Sequence, residues 1–268
     1  MQKLKALRAR ITDLKKMVVC FSGGVDSTLL LKLAREVLGD NLLAVTVVSE
    51  LFPRNEQEES VRLAQSIGVE HLKITGDELA NPLFVANPEN RCYHCKNARF
   101  RLIREWARDR GFETVVDGAN HDDLGDYRPG MQANREQGII SPLCEVGLNK
   151  DEIRQLSRSF GLPTWDKPAL ACLASRIAYH QTITAEKLKQ VEAGERYLRG
   201  LNLMGDIRVR HHGPTARLEV DPEEISILTS AEVRNPLTTY FKSIGFDYVT
   251  VDLQGYIRGS LNRLILDD

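Results

Sequence analysis

Short, nearly unbroken apolar runs alternate along the chain with longer stretches whose apolar residues recur every three or four positions. Met17-Val18-Val19-Cys20-Phe21 and the run over 41–48 are of the first kind, and shorter ones follow at 69–74 and 114–117. Runs apolar on both faces are what parallel strands buried beneath helices require. Helical spacing fills the intervals, over Ser27 to Leu38 and again over Arg54 to Ile67, where Gly68 stands at the position of a C-cap. The first sixteen residues, Met1 to Lys16, predict a charged amphipathic helix. A polar stretch with Pro88, from Asn87 to Cys95, predicts a loop leading into a helix from about Lys96 to Arg110, closed by Gly111. Ile139 to Leu143 predicts a fifth strand, and Asn149 caps a helix from Lys150 to Phe160 that Gly161 and Pro163 terminate. The alternation predicts a doubly wound, mainly parallel α/β sheet, with its site at the carboxyl ends of the strands.

The texture then changes. Thr184 to Leu201 predicts an amphipathic helix. Asp206 to His211 and Ala216 to Val220 alternate as a hairpin does, with His212-Gly213-Pro214 as its turn. Pro222 begins another helix, and Tyr248 to Leu253 is a late strand. The pattern predicts a first domain over 1–178 and a smaller α+β domain over 179–268, for substrate binding or oligomerisation, with a boundary near 176–182.

Composition narrows the class. The 268 residues are 42% hydrophobic and 27% charged, ordinary for a globular chain with ample core. A net charge of −1 supplies no overall field toward nucleic acid, so a nucleic-acid partner is not expected. No apolar run approaches the roughly 20 residues that span a bilayer, and the amino terminus lacks a signal-peptide core. Five cysteines, an odd number, argue against a disulfide framework and for a cytoplasmic protein with thiols open to chemistry.

The most informative stretch is Phe21-Ser22-Gly23-Gly24-Val25-Asp26-Ser27, where a strand stops at a serine and two glycines and a helix starts at once. Glycines admit an anion to backbone N–H groups, and the helix start adds partial positive charge. Ser22 and Ser27 offer hydroxyls, while Asp26 is placed to hold a metal ion that bridges phosphate oxygens. No lysine follows the glycines, which separates this turn from the common Gly-Lys-Ser/Thr loop; it matches the SGGxDS signature of ATP pyrophosphatases.

Other groups carry chemistry with less specificity. Asp117-Gly118-Ala119-Asn120-His121-Asp122-Asp123 lies just past a strand end, where small residues admit a ligand and carboxylates bind Mg²⁺ or substrate, although an Asx-rich turn reads equally well. Gly118, Asn120, Asp122 and Asp123 are its candidate ligands, and Asp126, Tyr127 and Arg128 extend the same wall. Cys92 and Cys95 form a C-x-x-C at a helix start, suited to zinc, an iron–sulfur cluster or a redox pair. Cys172 sits among small residues with Arg176 nearby, which favours thiolate, while an inert buried cysteine is the commoner case. Cys20 and Cys144 read as structural. Arg208 and Arg210 share one face of a strand, and Arg217 and Glu219 share a face on the next. Convergent guanidiniums suit a phosphate or carboxylate, against the alternative of a solvated sheet edge.

With the loop, the segments 89–96 and 125–130 and the surroundings of Cys172 in this order, the chain resembles the LarE family over nearly its full length. That resemblance implies an ATP-dependent sulfur transferase of the PP-loop superfamily. Such an enzyme adenylates the carboxylates of pyridinium biscarboxylic acid mononucleotide and converts them to thiocarboxylates for the nickel-pincer nucleotide of lactate racemase. It implies ATP and Mg²⁺ as cofactors, with Ser22, Gly23, Gly24, Asp26 and Ser27 on the pyrophosphate. Cys172, Asp26, Arg208 and Arg210 are the implied catalytic residues, and Arg208, Arg210, Arg176 and Tyr93 the implied substrate contacts. Some family members sacrifice a lone cysteine; others hold a 4Fe-4S cluster on three. Cys92, Cys95 and Cys172 match the second kind. Sulfide or another sulfur donor, other enzymes of the same cofactor pathway and further copies of the chain are the implied partners. A PP-loop tRNA thiolase, an amidotransferase-like synthetase of the NAD or GMP type, and a non-catalytic metal or sulfur carrier are the competing readings.

Overall fold

In the first strand, Met17, Val19 and Phe21 enter one apolar cluster and Val18 enters another, the period-two alternation of a strand covered on both faces. The computed structural model describes residues 2–125, 129–168 and 171–257. In chain order the elements are α1 (Gln2–Leu14), β1 (Met17–Cys20), α2 (Val25–Leu38), β2 (Leu42–Val48), α3 (Arg54–Ile67), β3 (Glu70–Thr75), α4 (Pro82–Val85), α5 (Arg91–Arg108) and β4 (Val115–Val116). Then come α6 (Pro129–Glu136), α7 (Pro142–Glu145), α8 (Lys150–Ser159), α9 (Ala185–Arg199), β5 (Arg208–His212), β6 (Thr215–Glu219), α10 (Ile225–Thr229), α11 (Ala231–Ser243) and β7 (Tyr248–Val251). They divide into two compact units, Met1–Glu78 with Asn90–Leu170, and Leu79–Glu89 with Ala171–Asp268.

The first unit is a parallel sheet in the order β3-β2-β1-β4. One face packs on α1, α2, α3 and α8 through residues such as Leu7, Leu29, Leu63 and Ile153. Phe100, Ile103 and Ala107 of α5 and Ala133 of α6 cover the other, against Val18, Leu43 and Val45. This is the doubly wound α/β arrangement. Gly68 closes α3 in the left-handed conformation, and Asn149 with Glu152 forms a reciprocal capping box on α8.

Two expectations need correction. The helix expected from about Lys96 begins at Arg91, with Asn90 at its N-cap, so Cys92 and Cys95 lie in its first turns and not in a loop. Pro88 stands ahead of that start and interrupts nothing. The fifth strand contracts to one bridge, Val116 with Ile140, because Pro142 has no N–H for a ladder and instead opens α7. The Asp126, Tyr127 and Arg128 wall lies outside the described residues, as do Ala169 and Leu170.

In the second unit β6 pairs antiparallel with β5 and parallel with β7. Its core gathers Leu198 of α9, Val209, Leu218, Leu237 and Phe241 of α11, and Phe246. The sequence pattern did not bring out α11, whose internal Pro236 lowers its helix propensity. Among the described residues, no helix is long and apolar enough to cross a membrane.

Asn87 explains why residues 79–89 belong to this second unit. It is fully buried with φ +56°, and its Nδ2 donates to the carbonyls of Ala178 (2.7 Å) and Gln181 (3.0 Å), while its own carbonyl accepts from His180 N–H (2.9 Å). Asn87→Ala leaves those part-buried carbonyls without this donor, and asparagine tolerates the left-handed backbone better than alanine. The substitution is expected to cost about 1–3 kcal/mol in urea denaturation of the full chain.

Candidate active site

The loop after β1 is shaped by two close approaches that only glycine permits. Gly23 has φ +70°, and a Cβ there would stand 3.2 Å from Ser60 Cβ on α3. A Cβ on Gly118 would stand 2.9 Å from the Ser27 backbone nitrogen. Gly118 is therefore small because the start of α2 presses on the end of β4, a reason different from ligand access. The two loop hydroxyls, Ser22 Oγ and Ser27 Oγ, lie 3.1 Å apart, and Ser22 Oγ accepts from Gly24 N–H at 3.3 Å. Gly24 is the N-cap of α2 and brings no side-chain cap. The helix start and its dipole thus face the turn without a protein anion on the cap, the condition for a phosphate cradle.

Asp26 and the segment 117–123 meet. Asn120 Nδ2 donates to Asp26 Oδ1 (3.2 Å), and Lys150 Nζ donates to Asp26 Oδ2 (2.5 Å). The backbone N–H of the same lysine donates to Asp122 Oδ2 (2.8 Å). Asn120 and Asp123 form a capping box across a short 3₁₀ turn. Asp117 is consumed structurally, accepting from Ser141 Oγ (2.7 Å) and Asn134 Nδ2 (2.6 Å). Beside this turn an open cleft of about 630 Å³ is lined by His121, Asp122, Leu124 and Gly125.

Lys150 is the residue that sequence reasoning missed. Its only signal was its place at the first position of a well-capped helix, where a cation is locally unfavourable. Asp26 on α2 pairs with the ammonium and offsets that cost, while Asp122 on the Asx turn accepts from the backbone N–H. The ammonium thus lies at the first turn of α2, next to the loop.

Burial, with a contribution from Asp117, pushes the Cys20 thiol well above its ordinary value, and burial raises that of Cys144 as well. Both remain protonated and structural. Cys92 is exposed and Cys95 half-buried on α5, one turn apart on a shared side of the helix. Tyr93, expected at the substrate, donates its hydroxyl to Glu136 (2.6 Å), joining α5 to α6. Among the described residues, no three His, Cys, Asp or Glu side chains form a group able to hold a metal ion.

The second unit organises Cys172 through buried charge. The Cys172 carbonyl accepts from Ser175 N–H (3.0 Å), Ser175 Oγ (2.7 Å) and Arg176 Nη1 (3.1 Å). Arg176 is itself paired with Glu195 through Nε (2.7 Å) and Nη2 (3.2 Å). Arg210 pairs with Glu219 (2.9 Å from Nε) and donates to the Ser175 carbonyl (3.0 Å). Glu219 also accepts from Arg217 (3.0 Å). Arg208 and Arg210 are 9% and 5% exposed, so they do not form a solvated edge. They differ in partner among the described residues: Arg210 is paired with the buried Glu219, and Arg208 with the half-exposed Asp206. Glu195 was missed, since only the fold brings it to Arg176, while Glu219, noted on the same face as Arg217, also pairs with Arg210 on the neighbouring strand.

A phosphate cradle on the carboxyl end of a parallel sheet, flanked by Asp26, Asn120 and Lys150, defines an α/β nucleotide-using domain of the PP-loop class. A family model described as asparagine synthase matches residues 4–91. The chain is 37% identical to pyridinium-3,5-bisthiocarboxylic acid mononucleotide synthase of Lactiplantibacillus plantarum, over 97% of this chain and 94% of that one. It is 45% identical to an uncharacterised protein of Synechocystis over 98% of each. A glutamine-hydrolysing GMP synthase of Aeropyrum pernix is 29% identical over 68% of this chain and 39% of that one. The chain belongs to the LarE family, ATP-dependent sulfurtransferases of the PP-loop superfamily.

Two outcomes follow from this geometry. Lys150→Met removes a charge-assisted bond beside the phosphates and is expected to slow ATP-dependent pyrophosphate release about 10- to 100-fold, read by a coupled pyrophosphate assay. Glu195→Ala leaves the Arg176 guanidinium buried and uncompensated, and is expected to destabilise the protein by about 3–5 kcal/mol in denaturant unfolding.

Proposed function

We propose that this protein converts the carboxylates of a pyridinium biscarboxylic acid mononucleotide to thiocarboxylates at the expense of ATP, in nickel-pincer nucleotide synthesis. The near full-length similarity to the Lactiplantibacillus plantarum synthase supports the substrate. The observation that carries the chemistry is the coexistence of a phosphate cradle with a cysteine whose backbone is fastened at its carbonyl.

In the first step a substrate carboxylate oxygen attacks the α-phosphorus of ATP, and pyrophosphate leaves with the β- and γ-phosphates. Ser22, Gly23, Gly24 and Ser27 hold that pyrophosphate with backbone N–H groups and hydroxyls. Lys150 neutralises the charge gathering on it. Positioning and charge neutralisation are the main devices for such a transfer. Mg²⁺ fits the site by donor type: Asp26 offers a carboxylate, and the nucleotide phosphates supply further oxygens, the usual way this ion is held.

In the second step a sulfur nucleophile attacks the acyl carbon, and AMP departs with the former carboxylate oxygen. Arg208 grips the substrate phosphate, while Arg176 and Arg210 keep the Cys172 segment in place. By residue type, Cys92, Cys95 and Cys172 are the side chains that would hold a 4Fe-4S cluster, and such a cluster would supply sulfide as the nucleophile. The reading includes a cytoplasmic location, assembly from several copies, an external sulfur donor and other enzymes of the pathway as partners.

The test is anaerobically purified protein supplied with ATP, Mg²⁺, sulfide and the pyridinium substrate. Pyrophosphate and AMP should appear with a product whose mass shows sulfur in place of oxygen. Pyrophosphate release without sulfur incorporation overturns the reading. Iron near four per chain, lost in Cys92→Ala and in Cys172→Ala, is the expected signature of the cluster. An iron-free, fully active Cys92→Ala, Cys95→Ala protein whose Cys172 loses sulfur by mass spectrometry overturns the cluster and leaves a sacrificial cysteine.

A further inference from the structure

Arg208 is held by an aromatic face where its neighbours are held by carboxylates. Arg176 bonds to Glu195 and Arg210 to Glu219, each through a nearly inaccessible pair. Among the described residues Arg208 is ion-paired with Asp206, 3.7 Å away and about half exposed, and the carboxylate of Glu195 also favours its charged form. Its Nη1 donates to the Ile207 carbonyl at 2.7 Å. Its guanidinium carbon lies 4.7 Å from the centre of the Tyr256 ring, and Nη2 stands 3.5 Å from the Tyr256 hydroxyl.

The position of Tyr256 does not depend on Arg208. The turn after β7 is fastened to β6 and its continuation by Asp252 N–H to the Leu218 carbonyl (2.9 Å) and Tyr256 N–H to the Val220 carbonyl (2.8 Å). Gln254 N–H donates to Asp252 Oδ1 (2.9 Å) within it. A carboxylate in the same place would cancel the guanidinium charge. The negative face of a neutral ring orients the cation and leaves its net charge available. Burial and the nearby Arg176 already disfavour the charged form of Arg208, so an incoming anion relieves an electrostatic cost and an aromatic holder does not forestall it.

We propose that Tyr256 is a positioning residue for substrate binding, its ring fixing the Arg208 guanidinium for an anionic group of the substrate without neutralising it. This rests on the reading of Arg208 as the grip on the substrate phosphate.

Tyr256→Phe, Tyr256→Leu and Arg208→Ala are compared in the full-length enzyme, with KM measured separately for the pyridinium mononucleotide and for ATP. Tyr256→Leu is expected to raise the mononucleotide KM about tenfold, the scale of a desolvated cation–π contact. The KM for ATP and kcat should hold, since ground-state substrate binding alone is lost. Tyr256→Phe keeps the ring and should restore the wild-type KM. If the phenylalanine variant is as impaired as the leucine variant, the hydroxyl matters and the aromatic-face role is overturned. If Arg208→Ala raises the mononucleotide KM while Tyr256→Leu does not, Tyr256 has no positioning role and the Arg208 reading survives. If Arg208→Ala leaves that KM unmoved, both fall together. Should the leucine variant fail to fold, Tyr256→Glu carries the test. Its carboxylate can bond Arg208 directly, so the same rise in KM is expected from cancelled charge, and an unchanged KM overturns the proposal.

Discussion

The first unit depends on one close approach, that of Gly118 to the start of α2. With no side chain at Gly118, the end of β4 presses against the Ser27 backbone at a separation no Cβ could occupy. That contact brings the Asx turn beside the phosphate loop, so Asn120 reaches Asp26 and Lys150 spans Asp26 and Asp122. A larger residue at 118 would move the turn away from the loop as a body. The cradle is thus not a property of the glycine loop alone. It is a loop, a turn and a helix start locked by a missing methyl group and one ammonium.

The second unit solves a different problem. It places several guanidiniums in surroundings where charge is costly, and offsets most of that cost with Glu195 and Glu219, each 1% exposed. Such pairs are weak sources of net stability, because desolvation takes back much of the Coulombic gain. Their effect here is geometric. Arg176 and Arg210 spend their remaining donors on the backbone of 171–175, fixing the carbonyl of Cys172 and leaving its sulfur half-buried at the head of a 3₁₀ turn. Two arginines are held by buried carboxylates and a third lies against a ring, the difference on which the proposed anion grip rests.

Cysteine usage follows the same division. Cys20, at the end of β1, and Cys144, on α7, have burial and nearby carboxylates raising their thiols, which removes them from chemistry at neutral pH. Cys92 and Cys95 occupy the first turns of α5, one exposed and the other half-buried. Environment sorts them, not residue type.

Much of this could be read directly from the chain. The alternation of Met17 to Phe21 between two apolar clusters, the turn at Ser22 to Ser27, the caps at Gly68 and Asn149 and the hairpin across Gly213 are all local patterns, and local backbone preferences produce them. The fifth strand failed because a single proline outweighed an apolar run. The start of α5 was misplaced because Pro88 was read as a breaker when it stood outside the helix. The roles of Asn87, Lys150 and Glu195 were not legible, since Asn87 reaches 178–181, Lys150 reaches Asp26 and Glu195 reaches Arg176 on other parts of the chain. An ion pair or a buried amide is defined by what arrives opposite it. The sequence by itself determined the sheet, its phosphate turn and which residue types were present for sulfur chemistry. Only the tertiary structure decided which arginine lies against a ring and which lysine meets Asp26, because such partners are chosen by proximity in space, which periodicity does not encode.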